Sequence, residues 1–318
     1  MKERQAKRFS IVGLIVLLFL GPSILESYYL HLAIMVFIYV MVASSLRTVY
    51  ISGQFSLGHA AYMAIGAYTS AVLAKSLHLT PWCTIPLGGL AATAVAVGIG
   101  FPFARLRAVY FSMASLFFGI TVTSSAGLAP KLTGGFTGLH GIPRLFGFTR
   151  TPYYYLFLTL SLVVLLALYR IEHSRIGMTF KGVAQSHLAA SSRGINEAGV
   201  RITALAIGGF FAGIAGACYA HYAGFIAPAQ FGVMTSILLV VYLIAGGKGG
   251  FAGPIVGTVI LYLTPYAMGG FQGYAPFFQA AVLIAVIFLI PEGMISLPGQ
   301  IMSWLKRGAR ERGSLDAP

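Results

Sequence analysis

The carboxylates and histidines of this chain are too scattered to form a catalytic or metal-binding cluster. The carboxylates away from the two termini stand apart from one another, each at the edge of a long apolar run: Glu26, Glu172, Glu197 and Glu292. A proton-coupled transporter needs such a group inside its helix bundle as a relay. Only His59 and His221 come near the interior of an apolar run, and no histidine has metal-ligand spacing with another or with Cys83 or Cys218. We therefore predict a non-catalytic protein without a metal or cofactor site.

A glycine-rich run invites comparison with a phosphate-binding loop. The run is A-G-G-K-G-G, from Ala245 to Gly250. It lacks the G-x-x-x-x-G-K-[ST] spacing, and Gly249 stands where the hydroxyl that binds magnesium belongs. If ATP drives this protein, another chain hydrolyses it.

Long apolar runs account for most of the chain. Hydrophobic residues make up 58% of it and charged residues 9%, whereas soluble domains carry about 25% charge. A hydrocarbon core of roughly 30 Å needs about 20 apolar residues per helix, and lipid excludes charge from the middle of each run. The pattern predicts an all-α integral membrane protein, a single transmembrane domain over residues 1–318. We place about ten transmembrane helices near residues 9–25, 28–46, 54–74, 81–103, 109–128, 152–169, 202–224, 230–246, 251–270 and 275–291.

Two of these runs are candidates for broken or re-entrant helices. The run 54–74 opens on polar residues, and the run 230–246 is short. The first run, 9–25, follows basic residues as in a secretory signal peptide, but no small-x-small cleavage site follows it, so we interpret it as a retained helix.

The basic residues account for the net charge of +14 without a nucleic-acid partner. With the N-terminus inside, the outside segments hold only Lys75, Lys131, Arg144 and Arg150. The inside segments hold Lys2, Arg4, Lys7, Arg8, Arg47, Arg105, Arg107, Arg170, Arg175, Lys181, Arg193, Arg201, Lys248, Lys306, Arg307, Arg310 and Arg312. This asymmetry follows the positive-inside rule and predicts that both termini are cytoplasmic.

Two further features of the sequence indicate helix packing and a cytoplasmic helix: the spacing of glycines and one amphipathic interval. Small residues four apart let membrane helices approach closely, and we predict this packing role for Gly209, Gly213, Gly216, Gly253 and Gly257. The inside interval 170–201 has apolar residues at near-helical spacing among basic ones, which predicts an amphipathic cytoplasmic helix. Such a helix requires a partner for its apolar side.

Five blocks in order resemble the permease subunits of the high-affinity branched-chain amino acid ABC importers, in particular the M-type subunit. They are G-Q-F-S-L-G-H-A-A-Y-M-A-I-G-A-Y (53–68), L-R-A-V-Y-F-S-M-A-S-L-F-F-G (106–119) with the loop T-G-G-F-T-G-L-H-G-I-P after it, S-R-I-G-M-T-F-K-G-V-A-Q-S-H-L-A-A-S-S-R-G-I (174–195), A-G-I-A-G-A-C-Y-A-H-Y-A-G-F-I-A-P (212–228) and G-G-K-G-G-F-A-G-P-I-V-G (246–257). The resemblance implies a multi-pass subunit of the bacterial cytoplasmic (inner) membrane. Its implied partners are a second permease, two cytoplasmic ATPases and an extracytoplasmic solute-binding protein.

The resemblance also implies roles for individual residues. The block from Ser174 implies an ATPase-coupling segment that includes Arg175, Gly177, Lys181, Gly182, Ala184, Leu188, Ala189, Ala190 and Gly194. We place the solute pathway along Gln54, Ser56 and His59 of the third predicted helix and Ser112 and Ser115 of the fifth.

The chain departs from the family in two respects. Gln185, His187 and Ser191 stand where acidic residues are common in the coupling segment, and Ile120 and Leu238 replace polar residues in the membrane. These departures leave the solute open among branched-chain amino acids, urea, short amides and aromatic acids.

Two other functions remain as alternatives. A secondary transporter or channel without ATPases is disfavoured by the missing intramembrane carboxylates and by the coupling-like segment. A membrane-embedded enzyme would need a polar catalytic cluster, which the sequence lacks.

Overall fold

The described part of the chain is almost entirely helical. A computed structural model describes residues 18–19, 21–22, 26–106, 108–247 and 249–267, with positions 277, 280, 281 and 284. Within them lie eleven α-helices. They are α1 (Ser27–Tyr50), α2 (Ala60–Ser76), α3 (Pro81–Phe103), α4 (Ala108–Gly127), α5 (Pro130–Thr133), α6 (Arg150–Glu172), α7 (Arg175–Gln185), α8 (His187–Ser192), α9 (Glu197–Ala223), α10 (Val233–Gly246) and α11 (Gly253–Ala267). Short 3₁₀ turns occupy Gly135–Thr137 and Pro228–Phe231, and strands β1 (Leu139–His140) and β2 (Phe225–Ile226) pair antiparallel.

Six helical segments of the described residues are long and apolar enough to cross a membrane. They are Ser27–Tyr50, Pro81–Phe103, Val109–Gly127, Arg150–Glu172, Glu197–Ala223 and Pro228–Gly246. The protein is therefore an all-α integral membrane protein. The predicted helices 9–25 and 275–291 lie almost wholly outside the described residues, so the number of ten helices stays a prediction.

Both segments suspected of being broken are interrupted at their N-terminal ends. The predicted helix 54–74 begins only at Ala60, and residues 51–59, which we call the broken segment, are not helical. With 17 residues, α2 is about 25 Å long at 1.5 Å per residue, shorter than the roughly 30 Å membrane core. The run 230–246 likewise breaks at Gly232, which is extended between a 3₁₀ turn and α10.

The single amphipathic helix predicted over 170–201 is wrong in detail. Residues 170–172 complete α6 and residues 197–201 begin α9. Between them lie two short helices, α7 and α8, separated at Ser186. The backbone of Ser186 is extended, and its hydroxyl accepts a hydrogen bond from Ala189 N–H, which caps α8. The interval therefore forms a bent pair of helices, which we call the coupling pair.

The longest helix, α9, lies at the centre of the bundle, where it packs against α1, α2 and α3. Glycines make this packing close. A Cβ atom built on Gly216 would lie 1.9 Å from the carbonyl oxygen of Met63 in α2, and one built on Gly213 would lie 2.6 Å from the Cβ of Ala92 in α3. One built on Gly209 would lie 2.9 Å from the Cβ of Ala96. In lipid the hydrophobic effect does not drive helices together, so close contacts of this kind stabilise the bundle through van der Waals interactions between helices.

Glycines in and after the run that follows α10 also allow two helices to pack closely. A Cβ on Gly253 would lie 2.0 Å from the carbonyl oxygen of Gly247, and a Cβ on Gly257 would lie 2.0 Å from that of Tyr242. These contacts let α10 and α11 fold back on each other as a tight hairpin. The glycines on either side of this turn, Gly246 and Gly247 before it and Gly253 and Gly257 after it, thus serve close helix packing.

A cap at the opposite end of the bundle from the coupling pair ties the loop after α4 to the end of α9. Strand β1 pairs with β2, and Lys75 Nζ donates to His140 O (2.9 Å). His221 holds the base of the cap, because its Nδ1 pairs with Pro143 O (2.7 Å) and its Nε2 with Ser70 Oγ (2.8 Å). This histidine therefore has a structural role in holding the cap to the bundle.

Candidate functional site

The broken segment is held in place by serines from two neighbouring helices. Ser112 Oγ of α4 donates to Phe55 O (2.7 Å), and Ser115 Oγ accepts from Leu57 N–H (3.0 Å). Ser236 Oγ of α10 accepts from Ala60 N–H (3.1 Å), the first residue of α2. Backbone groups inside a membrane protein need such partners, because lipid supplies none. The predicted pathway serines Ser112 and Ser115 thus contact the broken segment through its backbone.

The predicted pathway side chains of the broken segment are buried. Gln54, Ser56 and His59 are 1%, 1% and 0% exposed. His59 Nε2 pairs with Ser45 Oγ at 2.9 Å. Both amide atoms of Gln54 and the hydroxyl of Ser56 have no hydrogen-bond partner among the described residues. Buried polar groups of this kind are rare in folded proteins and mark places where a polar species belongs.

Gly58 permits the close approach of the broken segment to α4. A Cβ atom on Gly58 would lie 1.8 Å from the carbonyl oxygen of Ser115. The five predicted pathway residues, from two predicted helices, therefore share one region of the protein: Gln54, Ser56, His59, Ser112 and Ser115. Their role in conducting a solute stays a prediction.

A buried ion cluster, which the sequence analysis missed, joins three elements beside the broken segment. Arg47 of α1 binds Glu172 of α6 in a two-pronged pair, Nε to Oε2 and Nη2 to Oε1, both at 2.9 Å. Lys181 of α7 approaches the same Oε1 at 3.1 Å. The side chains of Arg47 and Glu172 are 3% and 7% exposed, whereas that of Lys181 is 44% exposed. The buried pair joins α1 to α6, whereas α7 is attached to the cluster only through the half-exposed Lys181.

The coupling residues implied by the family resemblance differ in exposure, and Lys181 is intermediate between the buried and the exposed members. Gly177 and Ala190 are buried, and a Cβ on Gly177 would lie 2.2 Å from Glu172 O, so these residues hold the coupling pair against the bundle. The exposed members are Arg175, Gly182, Ala184, Leu188, Ala189 and Gly194. Among the residues that depart from the family, Gln185 and Ser191 are exposed, while the side chain of His187 lies outside the described residues.

Apolar side chains are exposed on the coupling pair. Ile176 is 50% exposed, Met178 61% and Leu188 73%. Two of these residues lie on α7 and one on α8, outside the six candidate spans. A helix pair that points apolar side chains away from its own protein suits a docking surface.

The coupling pair touches the broken segment directly. Gly53 has a positive φ of +84°, and a Cβ built on it would lie 3.2 Å from Ala184 Cα of α7. Glycine is needed here both for the backbone conformation and for the contact. Gly53 and Ala184 therefore bring α7 into contact with the segment that carries Gln54.

No group of His, Cys, Asp and Glu within the described residues is suited to hold a metal ion. Cys83 and Cys218 are both free, the first exposed and the second buried.

Comparison with known proteins decides the family. The family model for the branched-chain amino acid transport system / permease component matches residues 28–291. The chain belongs to this family. The permease is also similar to the high-affinity branched-chain amino acid transport system permease protein LivM of Escherichia coli (strain K12), at 27% identity over 332 residues, which cover 95% of the chain and 78% of that protein. The LivM protein of Salmonella typhimurium is 27% identical over 320 residues, which cover 92% of the chain and 75% of that protein.

No solved structure matches the permease significantly. The family membership confirms the resemblance drawn from the five sequence blocks, and it agrees with a non-catalytic transport subunit.

Proposed function

We propose that this permease is a membrane-spanning subunit of an ATP-driven importer in the bacterial cytoplasmic membrane, for branched-chain amino acids or a related small solute. It forms the translocation pathway with a second permease and couples to two cytoplasmic ATPases. An extracytoplasmic solute-binding protein delivers the solute. The observation that carries the proposal is the contact between the coupling pair, with its exposed apolar side chains, and the broken segment through Gly53 and Ala184.

In this mechanism the coupling pair is a lever. ATP-driven closure of the ATPases moves the docked α7, and the Gly53 contact passes the movement to residues 51–59. Alternating access requires such a rigid link between the energy source and the pathway. The ion cluster of Arg47, Glu172 and Lys181 gives α7 a second attachment, to α1 and α6.

Uptake and co-purification test the proposal together. We expect cells that express the importer to accumulate labelled leucine in an ATP-dependent way, and an affinity tag on this chain to recover two ATPases. Uptake driven by a proton or sodium gradient, from a chain that purifies without ATPases, would favour a secondary transporter.

The exposed position of Gly182 provides a specific test of the lever. Gly182 is exposed, and a Cβ built on it meets no atom within 4 Å, so a side chain at this position can point into open space. We expect Gly182→Trp to insert and fold normally, yet to lose at least tenfold in uptake because the indole blocks docking of the ATPase. Recovery of ATPases by affinity purification and uptake of labelled leucine measure the two effects.

Gly182→Ala is the matched control, and we expect it to retain uptake because a methyl group adds little bulk. Gly182 is a cleaner site than Ala184, whose enlargement would also press on Gly53. Full uptake by Gly182→Trp would place ATPase docking elsewhere.

We also infer the topology of ten spans with both termini inside. Reporter fusions near Lys75, Lys131 and Arg150 should report the outside, and fusions near Arg107, Lys181 and Arg310 the inside. A cytoplasmic signal from the loop that contains Lys131 would rule out the ten-helix arrangement.

A further inference from the structure

A cavity of about 200 Å³ lies at the same end of the bundle as the cap. Its walls come from α1, the loop before α6, the first turn of α6 and the last turn of α9. Three candidate spans begin or end beside it, which places the cavity at the edge of the membrane. In the proposed topology this is the extracytoplasmic edge. The volume is below the range of about 300–1,000 Å³ that is usual for sites enclosing a small molecule, so it suits a compact group better than a whole solute.

The charge of the cavity is positive. Arg144 and Arg150 line it, and none of its described lining residues is acidic. Neither arginine is in an ion pair, since the carboxylates that form ion pairs within the described ranges are Glu172 and Glu197. Glu26, which precedes α1, is exposed and does not line the cavity. The two guanidinium groups therefore attract an anion from outside the chain.

Both guanidinium groups are held by contacts that leave most of their donors unused. Arg144 Nη2 donates to Ala223 O (3.0 Å), and Arg144 Cζ lies 4.3 Å from the centre of the Phe148 ring. Arg150 Nη1 donates to Ser27 O. A guanidinium group has five N–H donors in a planar fork that matches the oxygens of a phosphate group. The two side chains are thus fixed in position with N–H groups still available to a ligand.

The surroundings of the cavity are typical of a membrane–water interface. Phe148, at its rim, is 87% exposed, and Tyr28 and Tyr29 on the first turn of α1 are about half-exposed. Trp82, at the start of α3, is also exposed. Tyrosine and tryptophan are enriched at the depth of the lipid headgroups. Lipid phosphate is the anion that is abundant at this depth.

We propose that this cavity binds the phosphate group of an anionic phospholipid of the extracytoplasmic leaflet. Arg144 and Arg150 bind the phosphate oxygens, and the apolar part of the lipid lies against the exposed aromatic side chains outside the cavity. A zwitterionic lipid binds less well, because its own cationic group is repelled by the two arginines. The bound lipid connects the start of α6 to the loop that Arg144 attaches to the end of α9. The site concerns a lipid partner and does not depend on which solute the importer carries.

Lipid titration of the purified permease tests the site. The permease is isolated in detergent with its associated subunits, stripped of lipid and titrated with phosphatidylglycerol or with phosphatidylcholine of the same acyl chains. Native mass spectrometry counts the lipids that stay bound, and thermal unfolding measures the stabilisation. We expect phosphatidylglycerol to bind at least tenfold more tightly than phosphatidylcholine. This preference should shrink as salt is added, because partly exposed charges are screened over about 8 Å at physiological ionic strength.

Gly147→Asp tests the cavity without removing an existing contact. Gly147 lines the cavity, and a Cβ built on it meets no atom within 4 Å. Its φ of +62° is one that Asp and Asn adopt more readily than most side chains. The new carboxylate would compete with lipid phosphate for the arginines, so we expect phosphatidylglycerol binding to weaken at least tenfold and one fewer lipid to stay bound. Gly147→Asn, of the same shape but neutral, is the matched control and should bind as the unchanged protein does.

Variants of the arginines give an independent test. The double variant Arg144→Gln/Arg150→Gln should lose the same lipid, whereas Arg144→Lys/Arg150→Lys, which keeps both charges, should retain it. Lys131→Gln removes a positive charge that is exposed but does not line the cavity. We expect its lipid binding to be unchanged. Thermal unfolding without lipid corrects for any stability lost with the backbone contacts of the two arginines.

Three outcomes would overturn the site. Equal phosphatidylglycerol binding by Gly147→Asp and Gly147→Asn would show that the lipid binds elsewhere. Displacement of the lipid by millimolar inorganic phosphate would assign the cavity to the free anion, since a lipid gains additional affinity from its apolar part. A double Gln variant that keeps its lipid but loses affinity for the solute-binding protein would assign the arginines to a carboxylate of that partner. All three readouts are separate from uptake, so the importer function would stand in each case.

Discussion

Replacing Gly216 with leucine is expected to eliminate the folded permease. The new Cβ atom would lie 1.9 Å from the carbonyl oxygen of Met63, which belongs to the backbone of α2 and cannot rotate away. Overpacking a core usually costs about 1–3 kcal/mol, and a clash with backbone at the centre of the bundle should exceed about 3 kcal/mol because two helices must separate. The measurement is the yield of monodisperse protein after extraction from the membrane.

Gly98→Leu is the matched control for this prediction. Gly98 lies in α3, in a glycine-rich apolar helix, and a Cβ atom there meets nothing within 4 Å. We expect normal yield and normal thermal unfolding from this variant. Equal yields from Gly98→Leu and Gly216→Leu would show that α9 does not pack on α2 as described.

Removing the buried carboxylate of Glu172 should be nearly as damaging. Glu172→Leu leaves the Arg47 guanidinium buried without the carboxylate that binds it at two points. Breaking a buried pair by removing one partner costs about 3–5 kcal/mol, because the remaining charge stays desolvated. Thermal unfolding of the purified complex measures the loss, and adding Arg47→Met to Glu172→Leu should restore part of it.

Lys181→Met separates the two cations of the cluster. Lys181 is 44% exposed, and a solvent-screened pair contributes only about 0–1 kcal/mol. We therefore expect little change in unfolding from this variant. A loss as large as that of Glu172→Leu would mean that Lys181, and not Arg47, is the main partner of the carboxylate.

Sequence alone predicted the uninterrupted helices well. The predicted helix 81–103 coincides with α3 because its apolar run is free of charge and begins with proline at the first helical position. The break before α2 could only be suspected, since Gln54, Ser56 and Gly58 are compatible with either a polar helix start or an irregular segment. The serine contacts that decide between these two structures come from α4 and α10, which are distant in sequence.

The ion cluster shows why part of the site could not be predicted from the sequence. Glu172 and Arg47 were each placed at a membrane edge, and hydropathy carries no information about which edges face each other. The pair is 125 residues apart in the sequence, and no periodicity spans that distance. The coupling residues could be predicted only from the sequence blocks that resemble the family. Amphipathic spacing alone does not distinguish a docking surface from a solvated connector.

The distance between Arg47 and Glu172 along the chain also has a consequence for biosynthesis. Their separation of 125 residues corresponds to about 6–25 s of synthesis at about 5–20 residues per second. During that delay α1 is already made, and Arg47 has no access to the carboxylate that later neutralises it. In the proposed topology, Arg47 lies at the cytoplasmic edge of the membrane during this interval, where its positive charge favours the orientation of α1 with its C-terminal end inside. In that topology the same side chain acts first on the orientation of α1 and later, once α6 is made, in the buried ion pair with Glu172.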